Sequence, residues 1–200
     1  MLFTGKGDNG TTKTFGCDQR ISKSSSIAEA LGSLDEINSF LGLVKIKSAG
    51  VIFKLEMGEI ILADTIDRIQ QDLFIIQAET AGADKKITEE KVKWLENIIN
   101  DIEKILPPIK TFFVSGGCEL ATLCDIARTI ARRAERRVVG VADEAKNHHP
   151  LPPPSQGGGQ PHPVSQFTLA YLNRLSSVLY AFARASNHIN GVVEEAPRYE

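Results

Sequence analysis

Apolar residues recur at alternating steps of three and four along five stretches of the chain. Ile27, Ala30, Leu34, Ile37, Leu41 and Val44 mark the first, and Leu62, Ile66, Ile69, Leu73 and Ile76 the second. Val92, Leu95, Ile99, Ile102 and Leu106 mark the third, with Thr88 and Glu90 as signals of a helix start. The fourth carries Leu120, Leu123, Ala127, Ile130, Ala134, Val138 and Val141; the fifth carries Leu172, Leu175, Leu179, Phe182 and Ile189. A stripe with this spacing gives a helix one apolar face to bury. Alternation with period two is confined to a short Phe112–Val114 stretch. Breakers fall between the stripes: Gly82, Pro107-Pro108, Gly116-Gly117 and the run from Pro150 to Pro163. The pattern predicts an all-α, five-helix bundle, packed in the style of a four-helix or ferritin-like bundle, in a single domain spanning residues 1–200.

Composition narrows the classes of partner. The chain has 200 residues, 42% of them hydrophobic, and a net charge of −2, so neither nucleic acid nor an anionic membrane is an expected partner. No signal peptide and no run of about 18 apolar residues stands in the sequence. Cys17, Cys118 and Cys124 show no Cys-x-x-Cys spacing and are read as inert or buried thiols in a cytoplasmic setting. Residues 147–163 are rich in proline and glycine and read as a long connection between helices 4 and 5. His148, His149 and His162 within it lack the acidic or thiol partners of a metal site.

Two regions carry candidate chemistry. The chain opens with a run from Phe3 to Thr12 holding Gly5, Gly7 and Gly10. Gly5-x-Gly7-x-x-Gly10 imitates a dinucleotide fingerprint, but no strand fits in the four residues before it. The stretch suits an anion all the same: glycines let backbone N–H groups crowd a phosphate, and Lys6, Thr11 and Thr12 add donors. A plain N-terminal tail is the alternative. The other region is helix 4, with five arginines between Arg128 and Arg137. At about 100° per residue, Arg128, Arg132 and Glu135 share a narrow stripe beside the apolar one, flanked by Asp125 and Arg136. Arg133 and Arg137 point away and suit a solvated, ion-paired face. An arginine close to an apolar stripe needs an acidic partner or an anionic ligand. Asp35 of helix 1 is placed to reach such an arginine, whereas Glu36 is better placed for solvent. Asn173 in helix 5 is positioned to bridge helices or bind a ligand.

These pieces become specific in series. Thr4-Gly-x-Gly-Asp-x-Gly-Thr-Thr12 is followed by Phe15-Gly16, Ser22-Lys23 and Glu29-Ala-x-Gly-x-Leu-Asp-Glu-x-Asn38. Phe112 then precedes Gly116-Gly117, Ala127-Arg-Thr-x-x-Arg-Arg-Ala-Glu-Arg136 and Leu172-Asn-Arg-Leu-Ser176. In this order, from Thr4 to about Asn187, the chain resembles the propanediol-utilisation type of ATP:cob(I)alamin adenosyltransferase.

The resemblance implies a homotrimer with active sites between subunits. It implies transfer of the 5′-deoxyadenosyl group of ATP to the cobalt of cob(I)alamin, giving adenosylcobalamin and triphosphate, with Mg²⁺ or a similar cation. Residues 1–24 would form the ATP loop: Thr4, Gly5, Lys6, Gly7, Asp8, Gly10, Thr11 and Thr12 around the triphosphate, with Lys23 nearby. Arg132, Arg133, Glu135, Arg136 and Asn173 match ATP-contacting positions. Arg128 and Asp35 match a salt bridge between subunits, and Phe112 matches an aromatic that displaces the corrinoid's lower ligand. No protein residue is assigned to the metal. A flavin-type reductase and an adenosylcobalamin-dependent client enzyme are the implied partners. A non-catalytic carrier or sensor of adenosylcobalamin is the alternative. The chain departs from the pattern at Asp125, where many members carry histidine, and at Ser115, where many carry proline. An extra residue stands between Gly16 and Lys23, and the 147–163 insert is longer than usual.

Overall fold

The computed structural model describes residues 2–14, 20–56, 58–147 and 164–199. The motif residues Phe15 and Gly16, together with Cys17 and residues 148–163 of the predicted connection, lie outside the described residues. Five helices form where the stripes predict them: α1 (Ser26–Lys47), α2 (Leu62–Thr80), α3 (Glu89–Ile105), α4 (Glu119–Asn147) and α5 (Gln166–Ile189). The stripe residues of α2 are all fully buried, as are Ala30, Leu34, Ile37, Leu41 and Val44 of α1. On α3, Ile98 is buried while Ile99 is half-buried, and Ile189, at the last turn of α5, is exposed. Ser25 and Ser165 cap α1 and α5 by accepting from the amides of Ala28 and Thr168. Thr88 precedes α3 without capping it; its hydrogen bond holds the Glu90 carboxyl below its ordinary range.

α4 packs against both α1 and α5, α1 also packs against α2, and α3 lies on α5. Four polar contacts set α1 antiparallel to α4: Ser26 with Glu144, Glu29 with Arg137 (3.9 Å), Glu36 with Arg133, and Lys47 with Glu119 (2.8 Å). Two buried polar networks tie α2 to α5. Glu79 accepts from the Ser165 amide (2.7 Å) and from the Thr168 hydroxyl. Asp72 accepts from the Tyr171 hydroxyl (3.0 Å) and from Lys91 of α3. A buried carboxylate is tolerable only with such donors around it.

The helical reading needs one correction. Phe112–Val114 is not a strand; the strands are β1 (Thr11–Lys13) with β2 (Arg20–Ser22), and β3 (Ile52–Leu55) with β4 (Gly58–Ile61). Both pairs are antiparallel. The 112–114 backbone instead runs beside the C-terminal segment, where the Val114 amide donates to the Glu195 carbonyl (2.8 Å).

Candidate functional site

The N-terminal run is a folded loop. Amides of Asp8 and Gly10 close two successive turns on the carbonyls of Gly5 (3.2 Å) and Gly7 (3.1 Å). β1 then pairs with β2, which sets Thr11 opposite Ser22 and Lys13 opposite Arg20. Arg20 donates from Nε to the Thr11 hydroxyl (2.6 Å), and its terminal nitrogen donates to the carbonyls of Lys6 and Thr11. The Lys23 amide donates to the Gly10 carbonyl (2.9 Å). A Cβ on Gly7 would lie 3.0 Å from the Lys23 ammonium nitrogen and 3.3 Å from the Thr11 carbonyl oxygen, so the glycine lets that cation lie close against the loop backbone. Thr4, Gly5, Lys6 and Asp8 are exposed beside it, and Thr11 and Thr12 are half-buried. Sequence reasoning passed over Arg20. Its signal was the β-branched pairing of Thr11-Thr12 with Ile21, which places Arg20 across from the loop.

On α4, Arg133 and Arg137 form the solvated, ion-paired face that the helical wheel predicts: Arg133 pairs with Glu36 and Arg137 lies near Glu29, both on α1. These pairs are about half exposed and contribute little individually. Asp35 and Arg132 are exposed, and among the described residues neither has an ion-pair partner. Arg136 donates to the Arg132 carbonyl (3.0 Å). Glu135 accepts from the Asn173 amide (3.0 Å), joining α4 to α5, and Asn173 accepts in turn from Arg174 (2.6 Å).

Arg128 sits at the other end of the row, half-buried. Its Nε donates to Asp125 Oδ1 (3.1 Å), its terminal nitrogen lies 3.5 Å from the Ser115 hydroxyl, and its guanidinium stands 5.8 Å from the Tyr180 ring centroid. Asp125 Oδ2 accepts the Gly116 amide (3.1 Å). Asn187 grips the same turn from the opposite side. It donates to the Gly116 carbonyl (2.8 Å) and accepts the Cys118 amide (3.0 Å). Ahead of this turn Phe112 is 80% exposed, so it is not a core residue. Phe113 lies under the buried Arg184 guanidinium, 5.2 Å from its centroid. Arg184 also donates to the Pro107 carbonyl (3.0 Å) and pairs with Glu194 (2.8 Å). A cavity of about 450 Å³ opens between these groups, His188 and Val192–Val193. On α4, burial pushes the Cys124 thiol up to about 12, with the Asp125 charge adding to the effect.

A single chain does not bring all the predicted residues together. The contact of Ser26 with Glu144 tethers the Gly-rich loop near the end of α4. At 1.5 Å per residue, Glu144 is about 18 Å along the helix from Arg132 and about 24 Å from Arg128. The Gly-rich loop and the Phe112 turn therefore belong to opposite ends of α4.

Comparison with known proteins adds to this geometry. A family model described as cobalamin adenosyltransferase matches residues 2–186. The chain is similar to a corrinoid adenosyltransferase of Bacillus subtilis, with 35% identity over 195 residues covering 96% of this chain and 89% of the relative. It is also similar to the corrinoid adenosyltransferase PduO of Salmonella typhimurium, at 34% identity over 209 residues. That match covers 99% of this chain and 54% of the relative, so the chain spans about half the length of that protein. Among solved structures, it resembles a variant PduO-type ATP:corrinoid adenosyltransferase from Lactobacillus reuteri complexed with cobalamin and ATP. The TM-score is 0.80 at 28% identity, with 100% of this chain and 97% of that chain covered. With a family model spanning nearly its whole length and a five-helix fold that matches, the chain belongs to the cobalamin adenosyltransferase family.

Proposed function

We propose that the protein transfers the 5′-deoxyadenosyl group of ATP to the cobalt of cob(I)alamin. The cobalt(I) electron pair attacks C5′, the C5′–O bond breaks, and triphosphate leaves with that bonding pair. The metal centre of the corrinoid is the nucleophile, so the protein's task is to bind, orient and stabilise charge. The observation that carries this reading is the preformed N-terminal loop. Arg20 and the turns at residues 5–10 fix its backbone, and the Lys23 ammonium lies against Gly7. Lys6, Lys23, Thr11 and Thr12 then face the phosphates, where negative charge grows in the transition state. Arg132, exposed and without an ion-pair partner among the described residues, is assigned to the leaving triphosphate. Glu135, Asn173, Arg133 and Arg136 complete the nucleotide side.

The separation of the loop from Arg128 along α4 supports a site closed by a second copy of the chain. In this reading Asp35 of one subunit meets Arg128 of the next in a homotrimer, and Phe112 displaces the corrinoid's lower ligand. The chain acts as one domain, with residues 1–24 as the ATP loop and 147–163 as an insert. Mg²⁺ would arrive on the nucleotide. In this reading the ion is held chiefly by phosphates and water. A flavin-type reductase would supply the electron, and an adenosylcobalamin-dependent enzyme would take the product. We place the protein in the cytoplasm, the reducing setting that its cysteine usage suggests.

The test is direct. The protein is mixed with ATP, Mg²⁺ and chemically reduced cob(I)alamin, and corrinoid absorbance and triphosphate are followed. Turnover with one triphosphate per adenosylcobalamin is the expected result. Tight binding of ATP or adenosylcobalamin without turnover would replace the enzyme with a carrier.

A further inference from the structure

Ser115, Gly116, Asp125 and Arg128 close a ring of hydrogen bonds. Asp125 is buried, with both carboxylate oxygens committed: Oδ1 to Arg128 Nε (3.1 Å) and Oδ2 to the Gly116 amide (3.1 Å). The ring closes between Arg128 and the Ser115 hydroxyl (3.5 Å). We propose that Asp125 is a positioning residue that locks Arg128 to the turn carrying Phe112, so that guanidinium and aromatic ring are set as one unit. This rests on the function proposed above.

The geometry supports the lock in three ways. Asp125 and Arg128 are one helical turn apart, so α4 fixes the carboxylate before Arg128 chooses a rotamer. Engagement through Nε leaves the outer edge of the guanidinium for a further anion, so Asp125 orients Arg128 without using it up. Both peptide groups flanking Gly116 are held, the one before it by Asp125 at the N–H and the one after it by Asn187 at the carbonyl, and Phe112 is four residues before this clamp. The two departures from the family pattern, Asp125 and Ser115, thus fall in one ring. Proline at 115 would stiffen the turn through its own φ; in this chain a carboxylate stiffens it from outside.

The test uses Asp125→Ala, with Asp125→Asn as a variant of equal volume should the first fail to fold. The first readout needs no substrate: hydrogen exchange of the Gly116 amide, measured by NMR on the full chain. Loss of the acceptor should speed exchange about tenfold or more in Asp125→Ala while Arg128→Ala leaves it protected. Equal exchange in wild type and Asp125→Ala overturns the lock, whether or not the protein is an enzyme. The second readout is a kinetic cycle. Asp125→Ala should lower kcat about tenfold with the KM for ATP within about twofold, and more severely when cob(II)alamin plus reductant replaces free cob(I)alamin. In an Arg128→Ala background, adding Asp125→Ala should cost little more. Multiplying losses, or equal losses in all parameters that follow the melting temperature, would show a merely structural carboxylate. A wild type that does not turn over would sink the proposed function and leave the exchange result to decide this inference.

Discussion

Gly117→Ala is the sharpest test of how the Phe112 turn is built. Gly117 has φ +112°, a region that side chains rarely enter, at about 1–3 kcal/mol for a residue forced there. The added methyl would lie 2.2 Å from Asn187 Oδ1 and 2.7 Å from both Cγ and Nδ2. Asn187 is buried and cannot withdraw without releasing the Cys118 amide and the Gly116 carbonyl, at about 1 kcal/mol each. The sum is about 3–5 kcal/mol. For a chain of this length that lowers Tm by roughly 6–20 °C. Urea unfolding followed by circular dichroism measures the first quantity and a thermal scan the second. Asn187→Ala provides the control: with the clashing amide gone, the alanine at 117 should cost mainly its φ strain, so the two losses should fall short of additive. A loss below about 1 kcal/mol in Gly117→Ala, or strict additivity with Asn187→Ala, would refute the clamped turn.

Three other changes probe separate links. Arg132→Ala should cut turnover about 10²-fold or more if, as proposed, it donates to the leaving group; its exposed position should leave the melting temperature unchanged, and near-normal turnover would remove it from the mechanism. Arg20→Ala strips the loop of the bonds to Thr11 and Lys6 and should raise the KM for ATP about tenfold, measured by initial rates with kcat followed alongside; an unchanged KM would make the loop self-supporting. Cys124, with its thiol pushed up to about 12 chiefly by burial, should stay unalkylated at pH 8 until the protein unfolds, whereas Cys118 reacts in the native state. Peptide mapping after alkylation distinguishes them, and early labelling of Cys124 would contradict its burial.

The helices were legible because each must bury a continuous face, and burial writes itself into spacing. Ile66, Ile69 and Leu73 lie where the period puts them. The β3–β4 hairpin was not legible: its strands are four residues long, and of its apolar side chains only Phe53 is fully buried. The same limit applied to partners. A helical wheel placed Asp35 toward α4 and Glu36 toward solvent, yet Glu36 takes Arg133, because the reach of two long side chains outweighs a 100° step. At the candidate site, the glycines, lysines and arginines announced themselves by type and order. Arg20 and Asn187 did not: Arg20 gains its place only once β1 and β2 pair, and Asn187 acts on backbone atoms of a segment remote in sequence, which no spacing rule records.

Arg184 gives the last residues of the chain an unexpected standing. Its charge is 5% exposed and is balanced by Glu194, ten residues further along the chain and beyond the end of α5. A protease that removes Tyr199 and Arg198 takes only exposed side chains. One that cuts past Glu194 strands a cation in the interior, a defect of about 3–5 kcal/mol. The C-terminal segment is therefore internal architecture up to Glu195, whose carbonyl takes the Val114 amide, and an affinity tag or fusion partner belongs after that boundary.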